Sequence, residues 1–105
     1  MKVELLYFDG CPSHERLLPR LRELVTAADP GAEVELRRIA TIKEAKRERF
    51  LGSPTVRVDG RDVDPGAEER SDFGMKCRLY RSGEDLNPNP PESWISDALT
   101  RAVSG

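Results

Sequence analysis

Three residues of this sequence are suited to covalent or metal chemistry: Cys11, His14 and Cys77. A cysteine attacks as its thiolate, and a free pKa of about 8.5 keeps most of it protonated at neutral pH. Cys11 sits in Phe8-Asp9-Gly10-Cys11-Pro12-Ser13-His14, where an apolar run gives way to helical spacing. At a helix N-terminus, unpaired N–H groups and the helix dipole favour negative charge. His14, one turn along, would add a positive charge or a hydrogen bond, and both push a thiol pKa down. The plain alternatives are an inert cysteine in a turn and a surface histidine. Cys77 alternates with Leu79, so it reads either as a core residue or as a resolving thiol that the fold brings to Cys11. A disulfide needs Cα atoms within about 7 Å, which strand pairing alone does not ensure. As soft ligands Cys11, His14 and Cys77 lack an evident fourth, so no metal site is expected.

The elements that must position these residues follow from the apolar pattern. Lys2 to Phe8 is apolar on both faces, Val3, Leu5 and Tyr7 on one and Leu6 and Phe8 on the other, and reads as a central strand. Pro12 suits a first helical turn, and Leu17, Leu18, Leu21, Leu24, Val25 and Ala28 give the helix its stripe. Pro19 should bend it. Ala32 to Ile39 alternates as a half-buried strand with Val34 and Leu36 inward. Thr41-Ile42-Lys43-Glu44 is a capping box that starts a short helix carrying Ile42, Ala45 and Phe50 inward. Pro54 to Val58 is a third strand, closed by Asp59-Gly60. Residues 59–74 show no periodicity and an excess of Asp and Glu; the segment is either functional or a solvated acidic excursion. Met75 to Arg81 reads as a fourth strand. Asn89 and Glu92 fit the cap and third position of a last helix that buries Trp94, Ile95, Ala98, Leu99 and Ala102. The expectation is a single α/β domain over residues 1–105 in the order βαβαββα. Its first two strands should be parallel and its last two antiparallel, in a four-stranded mixed sheet with three helices.

Composition removes several function classes. The 105 residues are 37% hydrophobic and 34% charged, too apolar for a disordered tail. A net charge of −2 argues against general nucleic-acid or anionic-membrane binding. No apolar run approaches the roughly 20 residues of a membrane span. Glu4 interrupts the N-terminal run, so no signal peptide is read, and a cytoplasmic location with resting thiols is expected. No Gly-rich phosphate loop or calcium-loop pattern is present, and no cofactor is expected.

The apolar strand ending in Phe8-Asp9-Gly10-Cys11-Pro12, the helix after it, and Gly52-Ser53-Pro54-Thr55-Val56 followed by Asp59-Gly60 together resemble the thioredoxin fold over nearly the whole chain. The chain also looks similar to small bacterial thioredoxin-like proteins, some of which carry selenocysteine at the active-site position. The resemblance implies a redox nucleophile at Cys11 and a cis peptide bond at Ser53–Pro54. It also implies a substrate-binding edge at Ser53, Pro54 and Thr55, beside Cys11. The sequence departs from the family's Cys-x-x-Cys pair: Cys11-Pro12-Ser13-His14 has histidine in the second position, so a local dithiol cycle is absent.

The leading expectation is a monothiol oxidoreductase or peroxidase-like enzyme. Cys11 is its nucleophile, His14 supports the thiolate, and Cys77 or a low-molecular-weight thiol resolves the intermediate. The partner is then such a thiol or a protein disulfide. A partial likeness to the core of alkylmercury lyases supplies an alternative, with Cys11 and Cys77 holding mercury. That family's aspartate three residues after the first cysteine is here His14. A non-catalytic thioredoxin-like module that holds a peptide is the third reading.

Overall fold

The computed structural model describes residues 1–104. Strand β1 (Val3–Tyr7) lies inside a four-stranded mixed sheet of order β2-β1-β3-β4. It pairs in parallel with β2 (Val34–Arg38), Val3 opposite Val34, and antiparallel with β3 (Thr55–Val58), Leu5 opposite Val56. Its alternate residues feed two cores, as a strand covered on both sides must. Val3 and Leu5 join Val56, Val58 and Val63 beneath helix α1 (Ser13–Ala28) and helix α3 (Glu92–Ser104). Leu6 turns the other way, into a smaller cluster with Ile39, Ala45 and Phe50 under helix α2 (Ile42–Arg47). Glu4 shares that second face. It is 3% exposed and is held by Arg37 at 2.9 Å.

The fourth strand is not Met75 to Arg81. It is β4 (Arg61–Asp62), with Arg57 opposite Asp62 and Val58 opposite Arg61. Asp59 and Gly60 have φ of 51° and 82°. Two consecutive positive-φ residues make the primed turn that sends a strand straight back along its neighbour. The chain after Val58 therefore fills the sheet edge itself and leaves no room there for a strand beginning at 75. Residues 76–78 instead lie parallel to Ser53 through a single bridge, Ser53 to Cys77. Tyr80–Ser82 (β5) and Asp85–Asn87 (β6) form a separate antiparallel hairpin.

The helices follow the sequence pattern more closely. Helix α1 runs through Pro19, which faces solvent, and buries Leu17, Leu21 and Val25. Thr41 caps α2, accepting from the Glu44 N–H at 3.1 Å, while the Glu44 carboxylate reaches back to the Ala40 N–H at 2.9 Å. The helix stops at Arg47 in a Schellman arrangement. Arg49 takes φ 57°, its N–H donates to Lys46 O, and the Phe50 N–H donates to Ala45 O at 2.8 Å. That stop turns Phe50 into the core although it lies past the helix, and leaves Ile42 54% exposed, contrary to expectation. Leu36 is likewise exposed, because β2 is an edge strand whose outer part no helix covers. Asn89 does not cap α3, whose first residue is Glu92; Asn89 Oδ1 is buried with no partner. Among the described residues no helix is long and apolar enough to cross a membrane.

Candidate active site

Cys11 ends the turn that joins β1 to α1. Its N–H donates to Phe8 O at 3.3 Å, and Pro12 follows as the N-cap, with no side chain capping the helix. Of the first-turn N–H groups of this 16-residue helix, that of Glu15 donates to Pro12 O at 3.0 Å, and those of Ser13 and His14 follow the cysteine directly without a side-chain cap. Cys11 is 1% exposed, whereas Cys77 is exposed. The two are 66 positions apart in sequence, yet their Cα atoms are 5.7 Å apart and their sulfurs are bonded as a disulfide. That separation is ordinary for the bond.

The loop before β3 forms the floor of this site. The Ser53–Pro54 bond is cis, the isomer that the resemblance implies. Ser53 O lies 3.7 Å from Cys11 Sγ, and Ser13 Oγ lies 3.6 Å from the same sulfur. Ser53 therefore lies against Cys11, and Ser53, Pro54 and Thr55 are all buried. Both backbone hydrogen-bonding groups of Ser53 are taken by the chain itself. Its N–H donates to Lys76 O at 2.8 Å, and its carbonyl accepts from the Arg78 N–H at 2.8 Å. Gly52, at φ 126°, lets residues 76–78 approach this closely. A Cβ there would stand 2.9 Å from Lys76 O and 3.1 Å from Arg78 Cβ.

His14 is not aimed at the sulfur. Its Nδ1 lies 3.1 Å from Cys11 O, and since a carbonyl only accepts, Nδ1 carries the proton and donates. Its ring stacks on Tyr7 at 4.0 Å between centroids. It braces the turn that carries Cys11. With the two sulfurs joined to each other, Cys11, His14 and Cys77 do not form a metal-ligating group. Among the described residues no cluster of three or more His, Cys, Asp or Glu is placed to hold an ion.

Of the two readings of Cys77, the one that places it with Leu79 in the core is overturned. Both are exposed, and Arg78 and Tyr80 are buried at 2% and 1% exposure. The Arg78 guanidinium donates to Thr55 Oγ1 at 3.0 Å, Asp62 Oδ2 at 2.7 Å and Asp64 Oδ2 at 3.2 Å. It also lies over the Tyr80 ring, 4.4 Å from its centroid. The Tyr80 hydroxyl donates to Pro54 O, and burial pushes its pKa above the ordinary phenol range. Asp62 and Asp64 are thus not part of a solvated acidic excursion. Farther along, Asp72 is held below the usual carboxylate range by Arg70 and Lys76. The sequence held one clue to this arrangement: an acidic excess in 59–74 followed at once by an arginine alternating with a tyrosine. Ser13 carried no such signal.

No protein-family model, curated protein or solved structure matches the chain.

Proposed function

We propose that the chain is a thioredoxin-like thiol–disulfide oxidoreductase of a reducing compartment, with Cys11 and Cys77 as its redox couple. The observation that carries this reading is the pairing of two cysteines 66 positions apart at Cα atoms 5.7 Å apart, one of them at a helix N-terminus. The Cys-Pro-Ser-His motif lacks a local partner for Cys11, and in this reading Cys77 is the partner, 66 positions along the chain.

In the dithiol form the Cys11 thiolate is the nucleophile, favoured by the free N–H groups of α1 and by the Ser13 hydroxyl. It attacks one sulfur of a disulfide substrate, whose other sulfur departs as a thiolate and takes up a proton. The Cys77 thiolate then attacks Cys11 Sγ, the mixed disulfide breaks, and the substrate's second sulfur is released. Substrate is reduced by two electrons and the protein is left as the Cys11–Cys77 disulfide. A peroxide follows the same course, giving a Cys11 sulfenic acid that Cys77 converts to the disulfide with loss of water. A low-molecular-weight thiol attacks Cys77, the exposed partner, with Cys11 leaving as the stabilised thiolate, and a second equivalent then displaces the first from Cys77 as a disulfide, which restores both thiols and closes the cycle. Ser53, buried and with both backbone groups occupied by the chain, packs on Cys11 and seats Cys77 rather than offering an edge to substrate.

The test is peptide mapping and trapping. Oxidised wild type should yield a Cys11–Cys77 cross-linked peptide, and Cys77→Ser should accumulate a mixed disulfide or sulfenic acid at Cys11. Oxidation that leaves both thiols free, or adducts that accumulate only on Cys77, would refute the assignment. Hydrocarbon release from an organomercurial, with no turnover of disulfide or peroxide, would favour the mercury reading of the same sulfur pair. Two thiols inert to alkylation in the native protein would leave a binding module.

A further inference from the structure

We infer that Arg78 is a positioning residue for the redox couple, holding Cys77 in reach of Cys11 when the disulfide is open; this rests on the proposed function.

Cys77 has little else to fix it. Residues 71–79 hold no helix or strand, and the residue that carries the second sulfur is itself exposed. Its seat comes from both sides of the next residue. The Arg78 backbone N–H donates to Ser53 O, and the Lys76 carbonyl accepts from Ser53 N–H, which sets Cys77 opposite Ser53. The Arg78 side chain then runs inward and is clamped by Thr55 on β3, Asp62 on β4 and Asp64 just beyond. Thr55 is two residues from Ser53, and its own hydroxyl donates to Gly52 O at 2.6 Å. The clamp therefore ties the Cys77 segment to the loop that packs on Cys11. None of these contacts involves a sulfur, so breaking the S–S bond removes none of them.

A buried guanidinium with its carboxylates paired is costly to pull out, because Asp62 and Asp64, both largely buried, would lose their cation. Lifting residues 76–78 off Ser53 means extracting Arg78. The clamp thus keeps the Cys77 thiol at high effective concentration beside Cys11. It favours ring closure over the open dithiol and over a mixed disulfide that lingers on Cys11.

The test is the equilibrium constant of the Cys11–Cys77 couple in buffers of reduced and oxidised glutathione, with the rate at which a glutathione adduct on Cys11 is resolved. Arg78→Met fills the space without the charge. It is expected to weaken disulfide formation by about tenfold, which is about 30 mV in a two-electron couple, and to slow resolution comparably. Arg78→Lys keeps the charge but not the planar fork, and should fall between the two. Asp64→Asn, a milder change at the outer carboxylate, gives the reading if Arg78→Met does not fold, with an expected shift of about threefold. Thr41→Ala, at the cap of α2, should lower stability slightly and leave the constant unchanged. The inference is overturned if Asp64→Asn and every folded Arg78 variant stay within about twofold of wild type, or if Thr41→Ala shifts the constant as far as they do. Wild type that forms no Cys11–Cys77 bond under oxidation overturns the proposed function and this inference together. A normal bond with an unmoved constant overturns this inference alone.

Discussion

Opening the Cys11–Cys77 bond should cost this chain a large share of its stability. The bond joins residues 66 positions apart, so it closes most of the chain into one loop. In the chain-entropy account, a cross-link over 66 positions removes unfolded-state freedom worth about 4 kcal/mol at 25 °C. Small domains have only about 5–15 kcal/mol in total. At about 4–8 °C per kcal/mol for a chain of this size, the midpoint of thermal unfolding should fall by about 15–30 °C on reduction. The same free energy must appear in the thiol chemistry, because folding and reduction form a closed cycle. The bond in the folded protein should be harder to reduce than the same bond in the unfolded chain by about 90 mV. Guanidinium titrations with and without a dithiol measure the first quantity, and glutathione buffers with and without denaturant measure the second. Cys77→Ser should be indifferent to dithiol and should match reduced wild type. A stability loss below about 1 kcal/mol, or a dithiol effect that persists in Cys77→Ser, would rule out stabilisation by loop closure, which alone is expected to exceed that loss.

Three further outcomes are expected. Thr41→Ala should cost about 1 kcal/mol by denaturant titration, because the Glu44 N–H loses its acceptor; Thr41→Ser should recover most of it. Leu5→Ala, at a fully buried position of the larger core, should cost about 2–5 kcal/mol, whereas Leu36→Ala on the uncovered edge strand should cost under about 0.5 kcal/mol. Equal losses would mean that the edge is covered in solution. Burial raises the Tyr80 pKa above the free phenol value of about 10. Its neutral form is bound more tightly in the folded state, so that contribution is full below pH of about 10 and fades as pH rises toward the folded value. The denaturation midpoint of wild type should therefore fall more steeply above pH of about 10 than that of Tyr80→Phe. Matching slopes would show that the hydroxyl is not desolvated.

Local pattern and turn chemistry determined a good part of this protein. Two-faced burial of Val3 to Phe8, the helical stripe of α1, the Thr41–Glu44 cap and the α3 face each depend on residues a few positions apart, and physical chemistry at that range is readable from the chain. The placement of Cys11 ahead of a helix was legible for the same reason. Edge positions were less so, because alternation marks Leu36 as inward without saying that no helix reaches it. The choice of fourth strand turned on the backbone signs at Asp59 and Gly60, which make the hairpin close at once; the run Met75 to Arg81 then lost its place in the sheet. Only tertiary structure decided what Cys77 meets. Its alternation with Leu79 is the same whether the segment buries the cysteine or the arginine, and a buried arginine looks wrong until Asp62 and Asp64 are folded against it. With those carboxylates in place the arginine can stay buried, which leaves Cys77 on the outward alternation and opposite Cys11, 66 positions away in sequence, where no local rule connects them.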